Sequence, residues 1–161
     1  DTIGKIFGSD INEEILHVAN KNLSLLSIEG IDKRIKEIEE MILNYEKQSH
    51  IDAKNSAIKL KGLIKIDIDF QVFQADALKS IELQEKPDII ITDVPYGNIV
   101  NWEGNEENFI DSLLDSLYEI STSDTIIGLC MDKKQKVKNE KFRRLEKQQI
   151  GKRRFEILRK I

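Results

Sequence analysis

The sequence predicts an α/β domain with a largely parallel sheet that closes on an antiparallel hairpin. Three observations carry this reading. Short β-branched runs alternate with longer stretches of helical spacing, several runs stop at an acid or a turn, and the last segment alternates on both sides of Ile150-Gly151-Lys152. A length of 161 residues fits one domain, and a 40% hydrophobic share is enough for a core. No apolar run approaches the roughly 20 residues needed to span a bilayer, which excludes a membrane-spanning reading. Cys130 has no second cysteine to pair with, and no CxxC site occurs, so a reducing cytoplasm is expected.

The elements follow in order. Ile3, Ile6 and Phe7 lead into Gly8-Ser9-Asp10 as a strand and its turn. Asp10 or Asn12 can cap a helix whose first turn holds Glu13 and Glu14, and whose apolar face holds Ile15, Val18, Ala19, Leu23 and Leu26. Gly30 is expected to end it. Ile31, Ile35, Ile38, Met41, Ile42 and Tyr45 recur every three or four residues, and a second helical pattern follows the polar break at Gln48-Ser49. Residues 31–64 are longer than an ordinary connection and read as an inserted helical hairpin. Phe70, Val72 and Gln74 belong to an alternating strand that stops before Asp76. Residues 87–93 read as a strand buried on both faces, followed by a helix near 106–120, an apolar strand at 125–131 and a hairpin of 143–149 with 153–160.

Charge is divided unevenly. Residues 132–161 carry 13 Lys and Arg against 4 Asp and Glu, whereas residues 1–131 carry 12 against 25. A basic end on an acidic body suits contact with nucleic-acid phosphates, or is a solvated tail. Lys133, Lys134, Lys136, Lys138, Arg143, Arg144, Arg153 and Arg154 are the candidates for such contacts, which would position the chain without reading sequence. His17 and His50 have no Cys or His at ligand spacing, so no metal is assigned, and Cys130 is read as packing.

Asp10, Asp76 and Asp93 all follow strands, where ligands of parallel sheets collect. The most informative segment is Asp93-Val94-Pro95-Tyr96-Gly97, which fits the [D/N]-x-P-Y/F pattern of amino-group methyltransferases. A base amine is conjugated with its ring and is a poor nucleophile. A carboxylate from Asp93 and the carbonyl of Val94 can accept its two hydrogens and stabilise positive charge as transfer begins. Pro95 confines Val94 to extended conformations. Tyr96 can stack on an extruded base, which contributes roughly 1–3 kcal/mol, and Gly97 allows close backbone approach. The same residues also suit a plain strand-end turn.

With Gly8-Ser9-Asp10 before 19–27, and with Asn101-Trp102-Glu103-Gly104 after Asp93-Val94-Pro95-Tyr96-Gly97, the chain resembles the AviRa-like rRNA methyltransferases of the avilamycin-resistance group. Leu145-Glu146-Lys147 before Ile150-Gly151-Lys152-Arg153 extends the match. The resemblance implies a Rossmann-like, S-adenosylmethionine-dependent enzyme that methylates the exocyclic amine of a guanine in large-subunit ribosomal RNA, free or in a ribosomal subunit. It places Asp10, with Asn12 beside it, at the cofactor ribose, Asp76 and Ala77 at the adenine, and Asp93 between cofactor and base. Asp93, Val94, Pro95 and Tyr96 become the catalytic segment. Tyr96, Gly97, Trp102, Lys133, Lys134, Arg153 and Arg154 become the substrate-binding set. A lone Trp such as Trp102 is also commonly a core or lid residue.

One feature departs from that family. Its members carry a glycine-rich turn after the first strand, and no GxGxG occurs here. The expectation is that a first strand and helix, on the order of 30 residues, lie upstream in the same protein. The strands present would then form two half-sheets with unpaired edges. Rival readings are an amino methyltransferase acting on DNA bases or a protein glutamine, and a non-catalytic RNA-binding fragment.

Overall fold

Lys5–Asp10 forms β1 and pairs in parallel with β2, Asp69–Gln74, from Lys5 opposite Asp69 to Asp10 opposite Gln74. The computed structural model describes residues 3–94 and 106–161, the side chains of 106–108 excepted. Pro95, Tyr96, Gly97 and Trp102 lie outside the described residues. The chain divides into two units, ending and beginning at Gln74 and Ala75, and each is treated by itself.

In the first unit, the turn after β1 is built from side chains that accept backbone N–H groups. Asp10 Oδ1 accepts from Asn12 at 2.8 Å, and Asn12 Oδ1 accepts from Glu14 at 2.9 Å. The second bond caps α1, Glu13–Ser24, and Glu13 and Glu14 complement the helix dipole there. Gly30 does not terminate α1. Ser27 starts a new helix, α2, Ile28–Tyr45, by accepting from the Gly30 N–H at 3.1 Å. A Cβ at Gly30 would overlap the Ser24 carbonyl, so glycine is needed for the close approach of two helix ends rather than for a left-handed cap.

The inserted hairpin forms as its spacing predicts. Glu46, in the left-handed region at φ 48°, turns α2 into α3, Gln48–Lys61. Ile31, Ile38 and Ala57 are buried between the helices, flanked by Ile35, Met41, Ile42, Ala53 and Ile64. His50 is spent at the bend, where Nδ1 lies 3.2 Å from the Met41 carbonyl oxygen and the ring meets Tyr45 edge-on.

The second unit holds β3 (Ile89–Asp93), α4 (Glu106–Ile120), β4 (Ile126–Asp132), β5 (Phe142–Ile150) and β6 (Arg153–Lys160). Its sheet has the order β3-β4-β6-β5, with β3 parallel to β4 and the other pairs antiparallel. Gly151, at φ 61°, makes the tight turn of the hairpin. Ile110, Leu113, Leu114 and Leu117 recur at helical spacing on α4 and bury against Ile127, Leu129, Met131 and Leu158. Each such side chain contributes about 1.5–3 kcal/mol when fully buried. Lys141 first, and Asn139 second, hydrogen-bond Asp115 and hold its carboxyl below the usual carboxylate range, tying the approach to β5 to α4.

The expected burial of β3 on both faces is not found. Ile90 packs against the core, but Ile89 is 66% and Ile91 84% exposed. Alternation puts these two residues opposite the face that α4 covers, and β3 has one strand neighbour among the described residues. The strands therefore form a two-stranded parallel sheet and a four-stranded mixed sheet.

Candidate active site

Asp93 is the last residue of β3, beside Cys130 of β4. The next residue, Val94, donates its N–H to the Cys130 carbonyl at 2.7 Å and buries its side chain to 1% exposure. One anchored residue thus fixes where the chain leaves the sheet. The Asp93 carboxylate stays 56% exposed, with Arg153 Nη1 4.0 Å from Oδ2. Burial, and then the hydrogen bond it gives Asp93, push the Cys130 thiol above its ordinary pKa, while Arg153 pulls the other way. A solvent-facing acid thus has a protonated thiol on the neighbouring strand and a guanidinium on the strand beyond, both on its β4 side.

The basic loop comes to the same end of the sheet. Lys133 donates its N–H to the Lys152 carbonyl at 2.9 Å, which brings the loop after β4 to the tip of the β5–β6 hairpin. Asp132 Oδ1 accepts from the Lys134 N–H at 2.9 Å, and Gln135 Oε1 accepts from the Asp132 N–H at 2.8 Å. Lys133, Lys134, Lys136 and Lys138 are all exposed. Arg154, of the expected substrate-binding set, is engaged inside the unit. Its side chain is 11% exposed, donates to the Gln135 carbonyl and lies 3.9 Å from buried Glu156, because strand alternation turns it toward the α4 side.

The expected cofactor residues fall in both units. In the first, Asp10 spends Oδ1 on Asn12 N–H, and Asn12 spends its own side-chain oxygen capping α1. In the second, Asp76 accepts from the Leu78 N–H at 3.0 Å through Oδ1 and pairs with Lys79 at 3.3 Å through Oδ2, with Ala77 exposed next to it. Carboxylate acceptors of this kind fit the hydroxyls and amine of a nucleoside. Among the described residues, no cluster of His, Cys, Asp and Glu could hold a metal ion, and no helix is long and apolar enough to cross a membrane.

The sequence alone does not show that Cys130 lies beside Asp93. The signal needed is the register that sets it beside Asp93, which only the pairing of β3 with β4 provides.

Parallel strands flanked by helices, a closing antiparallel hairpin and an acid exposed at a strand's carboxyl end define a Rossmann-like methyltransferase fold. The family model of the rRNA methyltransferase AviRa matches residues 1–153, and the chain belongs to that family. It is 29% identical, over 98% of its length, to a 23S rRNA (guanine(2535)-N(1))-methyltransferase of Streptomyces viridochromogenes. It spans 66% of that relative's length. Two structures of the rRNA methyltransferase AviRa from the same organism share the fold. One has a TM-score of 0.80 at 27% identity, covering 96% of this chain and 66% of that one. The other has a TM-score of 0.81 at 23% identity, covering 99% and 77%.

Proposed function

We propose that this chain forms part of an S-adenosylmethionine-dependent enzyme that methylates a guanine of large-subunit ribosomal RNA, acting in the cytoplasm. The observation that carries the proposal is the Asp93 carboxylate, 56% exposed at the end of β3 and close to Arg153 at the tip of the basic hairpin. The family match supports RNA as the acceptor.

The reacting position is proposed to be a nitrogen of the guanine Watson–Crick edge. N1 is the first choice, because the named Streptomyces relative acts there. The Asp93 carboxylate accepts the N1 hydrogen, stabilises positive charge as the nitrogen is alkylated, and passes the proton to solvent. The second reading is the exocyclic amine on the same edge, favoured by Asp93-Val94-Pro95-Tyr96. There Asp93 and the Val94 carbonyl each accept a hydrogen bond from the amine, one N–H stays on the nitrogen as it is alkylated, and the other proton leaves through Asp93 to solvent. In both readings Tyr96 stacks on the base and Trp102 is a second stacking surface. Asp10 would accept from the ribose hydroxyls of the cofactor, and Asp76 with Ala77 would meet its adenine. When bound, the cofactor supplies the methyl group.

The sequence has no glycine-rich turn to hold the methionine end. Among the described residues β3 pairs on one side only and Ile89 and Ile91 are exposed, which supports a further strand completing this sheet. The test is methyl transfer from labelled S-adenosylmethionine to large-subunit rRNA, assembled subunits, DNA and a glutamine-containing protein. Label in RNA supports the proposal. Label confined to DNA or protein rejects it.

The basic loop gives a separate prediction. Replacing Lys133 and Lys134 together with alanine is expected to weaken rRNA binding several-fold and to lower the log–log salt slope by about 1 for each phosphate no longer neutralised. Filter binding at several salt concentrations checks this, and an unchanged slope removes these lysines from the interface.

A further inference from the structure

We propose that Cys130 and Arg153 are positioning residues for Asp93, the thiol donating a hydrogen bond to its carboxylate and the guanidinium facing it from across β4. The inference rests on the reading of Asp93 as the acceptor of a base hydrogen.

The geometry comes from three strands. Asp93 and Cys130 are direct partners across β3 and β4, and Asp132, two residues beyond Cys130, is the partner of Arg153 on β6. Residues two apart on a strand share a face, so Asp93, Cys130, Asp132 and Arg153 all project on the side opposite α4. Arg153 Nη1 reaches to 4.0 Å from Asp93 Oδ2. An aspartate at a strand end, flanked only by solvent, would rotate freely about its side-chain bonds. A donor on β4 and a cation reaching over from β6 restrict it from that side.

The thiol is suited to this work because it stays protonated. Burial and Asp93 both disfavour the thiolate, and Arg153 only partly offsets them. A thiolate here would set a second negative charge beside Asp93 and would place a competing nucleophile near the methyl donor.

Cys130 is the single cysteine of the chain, so its reactivity can be read directly. The experiment measures the rate of Cys130 with a chromogenic aromatic disulfide from acid to alkaline pH, without RNA or cofactor. The charged groups on the thiol's face are Asp93, Asp132 and Arg153, of which Asp93 and Arg153 act on it directly. Asp93→Asn is expected to lower the thiol pKa and raise the thiolate fraction near pH 8 by roughly tenfold, whereas Arg153→Gln shifts the profile the other way. Profiles that superimpose on that of the unsubstituted protein overturn the inference.

The second measurement is methyl transfer by the complete protein. Cys130→Ala is expected to lower kcat by roughly five- to tenfold with KM unchanged, and Cys130→Ser, which keeps a donor, to restore most of it. An unchanged kcat in Cys130→Ala overturns the positioning role. Divergent thiol profiles with no transfer by the unsubstituted protein would reject the methyltransferase reading while supporting the contact of Cys130 and Arg153 with Asp93.

Discussion

Replacing Asp93 with alanine is expected to reduce methyl transfer by about 100- to 10,000-fold, the range spanned by loss of a positioned general acid or base. Affinity for S-adenosylmethionine, measured by calorimetry, is expected to stay nearly intact. The reason is the distribution of work at the end of β3. Val94 and its bond to the Cys130 carbonyl hold the backbone, and the Asp93 carboxylate faces solvent at 56% exposure. Truncating it removes an acceptor without opening a cavity. Asp93→Asn separates the two acceptor nitrogens. An amide oxygen still accepts a hydrogen bond but cannot take a proton, so the loss should approach that of Asp93→Ala if N1 reacts. It should be smaller if the exocyclic amine reacts, since the Val94 carbonyl still accepts there. Retained activity in Asp93→Ala rejects Asp93 as the acceptor.

Glu156→Ala is expected to destabilise the second unit by about 3 kcal/mol, the lower end of the cost of breaking a buried ion pair. Glu156 is fully buried, with Arg144 Nη1 3.5 Å from one carboxylate oxygen and Arg154 Nη1 3.9 Å from the other. Neither oxygen has a hydrogen-bond partner among the described residues, nor does Arg154 Nε. Removing the acid leaves the Arg154 charge, 11% exposed, without its counter-ion. The long contacts, and a half-exposed Arg144, place the loss at the low end. Replacing Glu156 and Arg154 together by leucine should recover most of it, since the desolvation of both charges disappears. Urea unfolding checks both variants. Equal stability of Glu156→Ala and the unsubstituted protein would show that the cluster contributes nothing.

These two residues mark where the sequence stops being legible. The helical hairpin could be read because Ile31, Ile35, Ile38 and Ile42 repeat at helical spacing, and that spacing is local. Asp93 stands out as a candidate because Pro95 and Tyr96 follow it closely. Glu156 could not. In β6 the alternating positions are Phe155 and Ile157 on one face and Glu156 and Leu158 on the other, and hydropathy favours the first pair for the core. The structure covers the second pair with α4, so the glutamate is buried and Arg154 turns inward with it. Which face a helix covers is a tertiary fact. The same holds for β3, whose three isoleucines look equivalent until pairing and coverage separate Ile90 from Ile89 and Ile91. Gly30 misled for a related reason, because a glycine needed for close approach and one needed for a left-handed cap look alike in sequence.

The identity of the methylated nucleoside is the most direct measure of what the acid at the end of β3 does. Large-subunit rRNA treated with the complete protein and isotopically labelled S-adenosylmethionine would be digested to nucleosides and resolved by mass spectrometry. The label is predicted in 1-methylguanosine, and to vanish with Asp93→Ala. Label on the ribose, on a pyrimidine or on a guanine carbon would contradict a carboxylate acting at the Watson–Crick edge.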